Sequence, residues 1–395
     1  MIGECDTKPI VEWLADGARS ALHPAQVLTQ LSERLVACGI PLWRVAVFVR
    51  TLHPQIMGRR FVWRPGCEVE VSEASFETFE TAEFRENPVA RVYATREAIR
   101  RCLADTHCPI DFPILRSLRD EGVTDYLASP LIFTDGAPQV VTLTTRQSGG
   151  FTEAQIAGLE TVIAPLARVT EIRALRRTAS ILLDAYVGHE AGERILDGRI
   201  RRGDVEEIHA AIWLSDMRGF TALADSMRSR ELIDFLNHYF DCQVPAIIER
   251  GGEVLKFIGD GLLAIFPIAK GEAEAAAVCR NVAAAAREAH LKIAALAGRA
   301  TSANFPALRF GLALHLGKVL YGNIGGGNRL DFTCIGPAVN LAARLEKLAG
   351  QLGRTIVASG EFAGHCPDEF TAIGEFALRG FAATQSVFGL QDQTA

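Results

Sequence analysis

The stretch Glu253-Val-Leu-Lys-Phe-Ile-Gly-Asp-Gly-Leu-Leu-Ala-Ile-Phe266 decides the fold of the C-terminal half of this chain. Two apolar runs flank Gly259-Asp-Gly261, and glycine beside aspartate is typical of the tight turn of a β-hairpin. The sequence therefore predicts two antiparallel strands that place Asp260 at their turn.

A second aspartate closes another apolar run. The run Ala210-Ala-Ile-Trp-Leu214 predicts a strand, and Asp216 follows it after one serine, with Gly219 close behind. For either aspartate alone, a turn or capping role is the simpler interpretation. Together they favour a fold that brings two carboxylates to neighbouring strand ends, where a pair of Mg²⁺ ions can be held against phosphates.

The order of predicted elements around the hairpin defines the topology. We expect a strand at 208–214, a helical stretch at 220–250 that is broken near residue 229, and the hairpin at 253–266. We then expect a long helix at 271–298, two strands at 308–315 and 318–324, and a helix at 339–349. Strand-helix-strand-strand-helix-strand is the ferredoxin-like arrangement, so we expect a fold of the mixed α and β class.

The N-terminal half also alternates helix and strand signals. We expect an amphipathic helix at 9–38, a strand at 43–50, and a hairpin whose strands are at 127–134 and 139–145. A long helix begins after Thr152 and continues towards Arg177. Thr152 and Gln155 have the spacing of a capping box, which supports that helix start.

Composition bounds the possible classes of protein. The chain has 395 residues, of which 49% are hydrophobic and 22% charged, which suits a globular protein of two or three domains. Its net charge of −6 argues against bulk nucleic-acid binding. Nine cysteines without a CxxC pair, and no secretory signal, indicate a cytoplasmic protein with reduced thiols, and we expect no membrane span.

Three motifs in the C-terminal half resemble those of the class III nucleotide cyclases. They are Ser215-Asp-Met-Arg-Gly-Phe-Thr221, Lys256-Phe-Ile-Gly-Asp-Gly261 and Asp331-Phe-Thr-Cys-Ile-Gly-Pro-Ala-Val-Asn-Leu-Ala-Ala-Arg-Leu-Glu346. One such motif is weak evidence, whereas three at compatible separations are strong. The resemblance implies a catalytic domain over residues 205–395.

The resemblance also implies roles for the two aspartates. Asp216 and Asp260 would bind two Mg²⁺ or Mn²⁺ ions in each active site, and the backbone carbonyl of Met217 is a candidate further ligand. This choice of residues suits Mg²⁺, which takes few protein ligands and completes its shell with phosphate oxygens and water.

Further residues are assigned by the same resemblance. Asn340 would position the ribose and Arg344 would stabilise charge on the α-phosphate, because an arginine fork is planar and always charged. The two lie four residues apart and therefore share a helix face. Arg379 is a weaker candidate for contact with the triphosphate, since a surface arginine at a strand end is an equally good interpretation.

The same resemblance implies that the choice of base depends on Lys256 and Thr333. A lysine can donate to N1 of adenine, and a threonine hydroxyl can accept from its 6-amino group, so we expect an adenylate cyclase. The family usually has aspartate at position 333, so the threonine leaves the stringency for ATP open. A guanylate or dual-specificity cyclase, and a catalytically silent cyclase-like module, remain as alternatives.

The resemblance implies a homodimer. In the family the metal-binding residues come from one subunit, and we group Lys256 with them. Asn340 and Arg344 come from the other subunit. The symmetric dimer would therefore have two equivalent sites. Orientation of the subunits then becomes a point of control.

The N-terminal half resembles a GAF-type sensor domain over residues 1–172, followed by a helical linker and transducer over 173–204. The pattern of the hairpin and the closing helix carries this resemblance. Apolar residues at helical spacing favour either packing on their own domain or a dimer seam: Leu159, Ile163, Leu166, Val169, Ile172 and Leu175. The signal sensed is unknown.

Overall fold

The chain divides into two compact units, Met1–Leu182 and Leu183–Ala395, in a computed structural model that describes residues 6–269, 271–301, 309–327 and 329–391. The division falls within one long helix. The domain bounds expected from the sequence, 1–172, 173–204 and 205–395, stay predictions.

The first unit is a six-stranded sheet with helices on both sides. Its helices are α1 (Lys8–Ala15), α2 (Pro24–Ala37), α3 (Ala82–Arg85), α4 (Pro88–Thr95), α5 (Pro113–Asp120) and α6 (Glu153–Val187), which continues past the division. Its strands are β1 (Arg44–Arg50), β2 (Ile56–Trp63), β3 (Glu70–Ser75), β4 (Ile99–Arg101), β5 (Asp125–Ile132) and β6 (Pro138–Thr145).

The strands of this sheet are ordered β3-β2-β1-β6-β5-β4 and all pairs are antiparallel. Alternate side chains face opposite sides, as the period of a strand requires. Leu127 and Val141 pack with α1, α2 and α6, whereas Ala128 and Val140 pack with α4 and α5. The predicted strand at 43–50 and the predicted hairpin are both confirmed.

The single helix predicted over residues 9–38 is wrong. The structure has α1 and α2 with a break between them, where Gly17 and Ala18 adopt positive φ angles of 84° and 51°. Pro24 then begins α2, a position where the missing N–H of proline costs nothing. The apolar periodicity continues across the break, which is why the sequence pattern concealed it.

Helix α6 begins as predicted and extends further. The N–H of Thr152 donates to Gln155 Oε1 at 2.9 Å and the N–H of Gln155 donates to Thr152 Oγ1 at 3.2 Å, a reciprocal capping box. Leu159 is buried in the core of its own unit. Ile172 and Leu175 are exposed, so only this later part of the expected seam is open to a partner.

The second unit contains an eight-stranded sheet. Its helices are α7 (His189–Leu196), α8 (Phe220–Ser226), α9 (Ser229–Asp241), α10 (Val244–Ile248), α11 (Glu272–Thr301), α12 (Pro337–Gln351) and α13 (Gly360–Ala363). Its strands are β7 (Val205–Arg218), β8 (Glu253–Ile258), β9 (Gly261–Ile268), β10 (Arg309–Gly326), β11 (Arg329–Ile335), β12 (Ile356–Ser359), β13 (Phe370–Phe376) and β14 (Gln385–Leu390).

The centre of this sheet is β10-β7-β9-β8, all antiparallel. These strands are the fourth, first, third and second of the unit, in the strand-helix-strand-strand-helix-strand order predicted from the sequence. Trp213 on β7 packs with α9, α10 and α11, whereas its neighbour Ile212 packs with α7 and α12. Both faces of β7 are therefore buried.

Two local predictions in this unit are corrected. The strands expected at 308–315 and 318–324 form one strand, β10, because Leu316 and Gly317 pair with Ala211 and Ala210 of the equally long β7. The helical stretch over 220–250 has three pieces rather than two. Pro245 sits in the first turn of α10 and has no N–H with which to continue a helix.

Within the part of the chain that the structure describes, no helix combines the length and apolar character needed to cross a membrane.

Candidate active site

Asp216 and Asp260 lie side by side at one end of the central sheet. Asp216 is near the end of β7, and Asp260 follows Gly259, whose φ of 63° turns the chain between β8 and β9. A Cβ at Gly261 would lie 2.9 Å from the Ser215 carbonyl oxygen and 3.2 Å from Asp216 Oδ1. Glycine at this position therefore allows the turn to approach β7 closely.

The two carboxyl groups interact electrostatically. Burial, followed by the nearby carboxylates of Asp260 and Glu346, raises the pKa of Asp216 to about 6. Like charges this close oppose each other's ionisation, and a divalent cation between them would reverse that effect. The negative charge of the two carboxylates is therefore not balanced by nearby positive groups.

These residues fit the divalent cations expected from the sequence. Among the described residues, no three histidine, cysteine or acidic side chains form a metal-binding group, so the available ligands are two carboxylates and nearby backbone oxygens. The side chain of Met217 is buried, which leaves its carbonyl as its only possible ligand atom near the pair. An all-oxygen set with few protein ligands suits Mg²⁺ or Mn²⁺ better than zinc.

An arginine beside the pair joins β7 to α12. Arg218 Nη2 lies 2.7 Å from Glu346 Oε1 and donates to the Glu346 carbonyl oxygen at 2.8 Å. The guanidinium crosses Gly311 of β10, where a Cβ would lie 2.0 Å from Nη2. Glu346 ends the third motif, but no role for it is predicted from the sequence, because its contact with Arg218 is long-range.

A cavity of about 290 Å³ adjoins this arginine. Arg218, Arg309 and Arg354 line it together with His290 and Gly350. Arg309 pairs with Arg218 across the β7–β10 ladder, and Gly311 pairs in the same way with Asp216, so the cavity lies at the end of β7 that carries Asp216, although neither aspartate lines it. Sequence reasoning missed Arg309 and Arg354, since strand register brings Arg309 here and the connection between α12 and β12 brings Arg354.

Lys256 contacts the strand that carries Thr333. Its Nζ donates to Asp331 Oδ2 at 2.5 Å, and Asp331 and Thr333 lie on the same face of β11, two residues apart. Thr333 is 5% exposed, and its Oγ1 has no hydrogen-bond partner within the described residues. A buried hydroxyl in this state is uncommon and is satisfied readily by a ligand. Cys334 faces the other way, into an apolar cluster.

Asn340 and Arg344 occupy one exposed face of α12. Among the described residues neither side chain makes a hydrogen bond or ion pair. Arg344 and Glu346 point about 160° apart on the helix, because each residue turns it by about 100°. Since Glu346 reaches towards the carboxylate pair, Arg344 points away from the pair of its own chain.

Arg379 lies in an exposed turn after β13. The preceding Leu378 packs against Leu341 and Leu345 of α12, so the turn lies beside that helix. Within the described part of the chain, the Arg379 side chain makes no hydrogen bond or ion pair.

Comparison with known proteins places the similarity in the second unit. Residues 205–390 match the family model described as adenylate and guanylate cyclase catalytic domain. The adenylate cyclase of Anabaena cylindrica is 33% identical over 163 residues, which are 40% of this chain and 32% of that protein. The terminal-differentiation specific adenylate cyclase of Dictyostelium discoideum is 34% identical over 168 residues, 42% of this chain and 8% of that protein.

Among solved structures, the adenylyl cyclase CyaB from P. aeruginosa has 27% identity and a TM-score of 0.41, covering 48% of this chain and 97% of that one. The chain spans about a third or less of the length of the curated relatives described above.

Proposed function

We propose, on the premise that residues 205–390 are a class III adenylate and guanylate cyclase catalytic domain, that this protein converts ATP to 3′,5′-cyclic AMP and pyrophosphate. The observation that carries the proposal is the adjacent pair Asp216 and Asp260. Its mutual repulsion and its oxygen-only character suit it to hold divalent cations against a triphosphate.

The residues near the pair have complementary tasks. Bound cations supply charge neutralisation of the triphosphate and a lower pKa for the ribose 3′-hydroxyl. Asp216 and Asp260 hold them in place. Arg309 and Arg354, which make no ion pair among the described residues, add positive charge where the polyphosphate would lie. Arg344 stabilises the charge on the α-phosphate as the ribose 3′-oxygen, its proton released to solvent, bonds to the α-phosphorus and the bond from that phosphorus to pyrophosphate breaks.

Lys256 and Thr333 select the base. The unsatisfied Thr333 hydroxyl can accept from the 6-amino group of adenine, and Lys256 can donate to N1 after it leaves Asp331. The family resemblance leads us to expect Lys256 and the two aspartates of a site to come from one subunit. The ion pair of Lys256 with Asp331 favours a different arrangement, in which Lys256 and Thr333 of one subunit act on the same base. Because β11 leads into α12, that subunit also supplies Asn340 and Arg344.

A homodimer completes the site in this proposal. Within one chain Arg344 points away from the carboxylate pair and is exposed, so a second copy has to bring its own α12 to the pair. Two equivalent sites then form across a two-fold axis.

Regulation by Met1–Leu182 is the last part of the proposal. A six-stranded antiparallel sheet with helices on both faces is compatible with the GAF-like sensor expected from the sequence. In the second unit, α7 is tied to the catalytic sheet. Glu253 of β8 accepts from the Tyr321 hydroxyl at 2.5 Å and from the Ala191 N–H of α7 at 3.3 Å. A movement of α7 would therefore displace β8, the strand that carries Lys256 and ends just before Asp260.

Turnover of purified full-length protein tests the activity. With Mg²⁺ or Mn²⁺, we expect cyclic AMP from ATP and much slower cyclic GMP formation from GTP. Asp216→Ala should lower the rate by at least about a thousandfold while the unfolding temperature is kept or raised, because a strained carboxylate is removed. Asp225→Ala, an exposed aspartate on α8, is the matched control and should be fully active. Absence of any cyclic nucleotide with either metal would support the silent-module alternative.

A further inference from the structure

A second cavity, of about 590 Å³, lies entirely within the first unit. It is bounded by α2, by the β1–β3 side of the sheet and by α6. Its floor is apolar and includes Leu28, Val47, Phe61, Leu166 and Val169. Volumes of this size, with mostly apolar walls, are typical of sites for small organic ligands.

Positive charge is concentrated at one side of this cavity. Arg59, Arg173, Arg176 and Arg177 all contribute to its lining. Arg59 is neutralised by an ion pair with Glu73. Among the described residues, the other three have no carboxylate partner, so the side formed by α6 carries three uncompensated charges.

Arg173 is already held in position. Its Nη2 donates to the Ala21 carbonyl oxygen at 2.6 Å and its Nη1 to the Leu22 carbonyl oxygen at 2.9 Å. These bonds fix the guanidinium beside the cavity without cancelling its charge. Arg176 and Arg177 are exposed, and among the described residues their side chains make no hydrogen bond or ion pair, so they can reach a ligand from the solvent side.

We propose that this cavity binds an amphipathic organic anion, with its hydrocarbon body on the apolar floor and its carboxylate or equivalent head group at the arginines of α6. Burial of the hydrocarbon provides most of the binding free energy. Charge-assisted hydrogen bonds to the guanidinium groups select the anion over a neutral or cationic molecule with the same body.

Two probes with alkyl chains of similar length and oppositely charged head groups test the selectivity. Calorimetric titration of the full-length protein with decanoate, below its micelle concentration, should show saturable binding at one site per chain. Decyltrimethylammonium, with an alkyl chain one carbon longer and the opposite charge, should bind at least about tenfold more weakly. Equal affinities, or no saturable binding of decanoate, would overturn the proposal.

Two variants locate the binding. Arg176→Ala combined with Arg177→Ala should weaken decanoate binding by about tenfold, since two partly exposed charge contacts are lost. Val71→Trp places an indole in the cavity from the edge strand β3, where the valine is 47% exposed and the change is compatible with folding. It should abolish binding.

Matched controls lie outside the cavity. Arg116→Ala removes an exposed arginine of α5, and Phe76→Trp enlarges a half-exposed side chain, and neither residue lines the cavity. Both should bind decanoate normally. If decanoate affinity survives both cavity variants, or if those variants change only the oligomeric state measured by sedimentation, the cavity is not an anion site. Binding is measured directly, so the result does not depend on cyclase activity.

Discussion

Single glycines control how closely charged groups approach the carboxylate pair. Gly311 lies under the Arg218 guanidinium, and a Cβ there would lie 2.0 Å from Arg218 Nη2 and 2.7 Å from Glu346 Oε1. We predict that Gly311→Ala displaces the ion pair, lowers stability by about 1–3 kcal/mol and reduces turnover. Thermal unfolding and cyclic AMP formation would measure both effects.

Gly326→Ala is the control for stability. Its added methyl group would meet no described atom within 4 Å, and the residue lies in regular strand. An unfolding temperature for Gly311→Ala that matches this control would show that the guanidinium moves aside at no cost.

Thr333 provides a second prediction at this scale. Thr333→Val keeps the shape but removes a buried hydroxyl that has no partner among the described residues, so stability should rise by about 1 kcal/mol. The kcat/KM for ATP should fall by about tenfold if that hydroxyl accepts from adenine.

Ser32→Ala is the comparison for Thr333→Val. It removes another buried hydroxyl without a partner among the described residues, from α2 of the first unit, and should leave ATP turnover unchanged. Unchanged kcat/KM in Thr333→Val would remove the proposed contact with the base.

At the scale of elements, a buried histidine joins β10 to the start of α13. His315 Nδ1 is 2.7 Å from Ser359 Oγ, the capping side chain of that helix, and burial lowers the pKa of His315 to about 4. Glu361 opposes this shift and His209 adds to it. The folded state therefore favours the neutral form of the His315 imidazole.

This burial predicts a stability that depends on pH. Between pH 6.5 and about 4 the unfolded chain binds a proton that folded His315 does not, so the free energy of unfolding falls as pH drops. The total loss is at most about 3 kcal/mol. Unfolding temperatures from pH 7.5 to 5 should fall less steeply in His315→Gln, and should fall as in wild type in His107→Gln, an exposed histidine. Identical slopes in all three proteins would contradict the assignment.

Elements also show where sequence patterns succeed. The hairpin around Asp260 and the capping box of α6 depend on residues close in the chain, and both were predicted. The break between α1 and α2 was not, because a positive φ at Ala18 is not encoded by apolar periodicity. The continuity of β10 through Gly317 was missed because a long partner strand overrides the local preference of glycine.

At the scale of the whole molecule, the proposed site needs two chains. Asp260→Ala and Arg344→Ala should each be inactive as homodimers. In an equal mixture, activity should return to about a quarter of wild type, because about half of randomly formed dimers are mixed and each has one intact site of two. Mass spectrometry would verify the mixed dimers. Their presence without activity would refute the shared site.

The sequence by itself determined which groups are available: two aspartates at the ends of apolar runs, a lysine four residues before one of them, and an asparagine and arginine on one helix face. These follow from local spacing. Only the tertiary structure decided which groups meet. Strand register aligned Arg218 with Arg309, and long-range packing placed Asp331 with Lys256 and turned Arg344 away from the carboxylates. Such contacts depend on distant segments whose pairing no local pattern specifies.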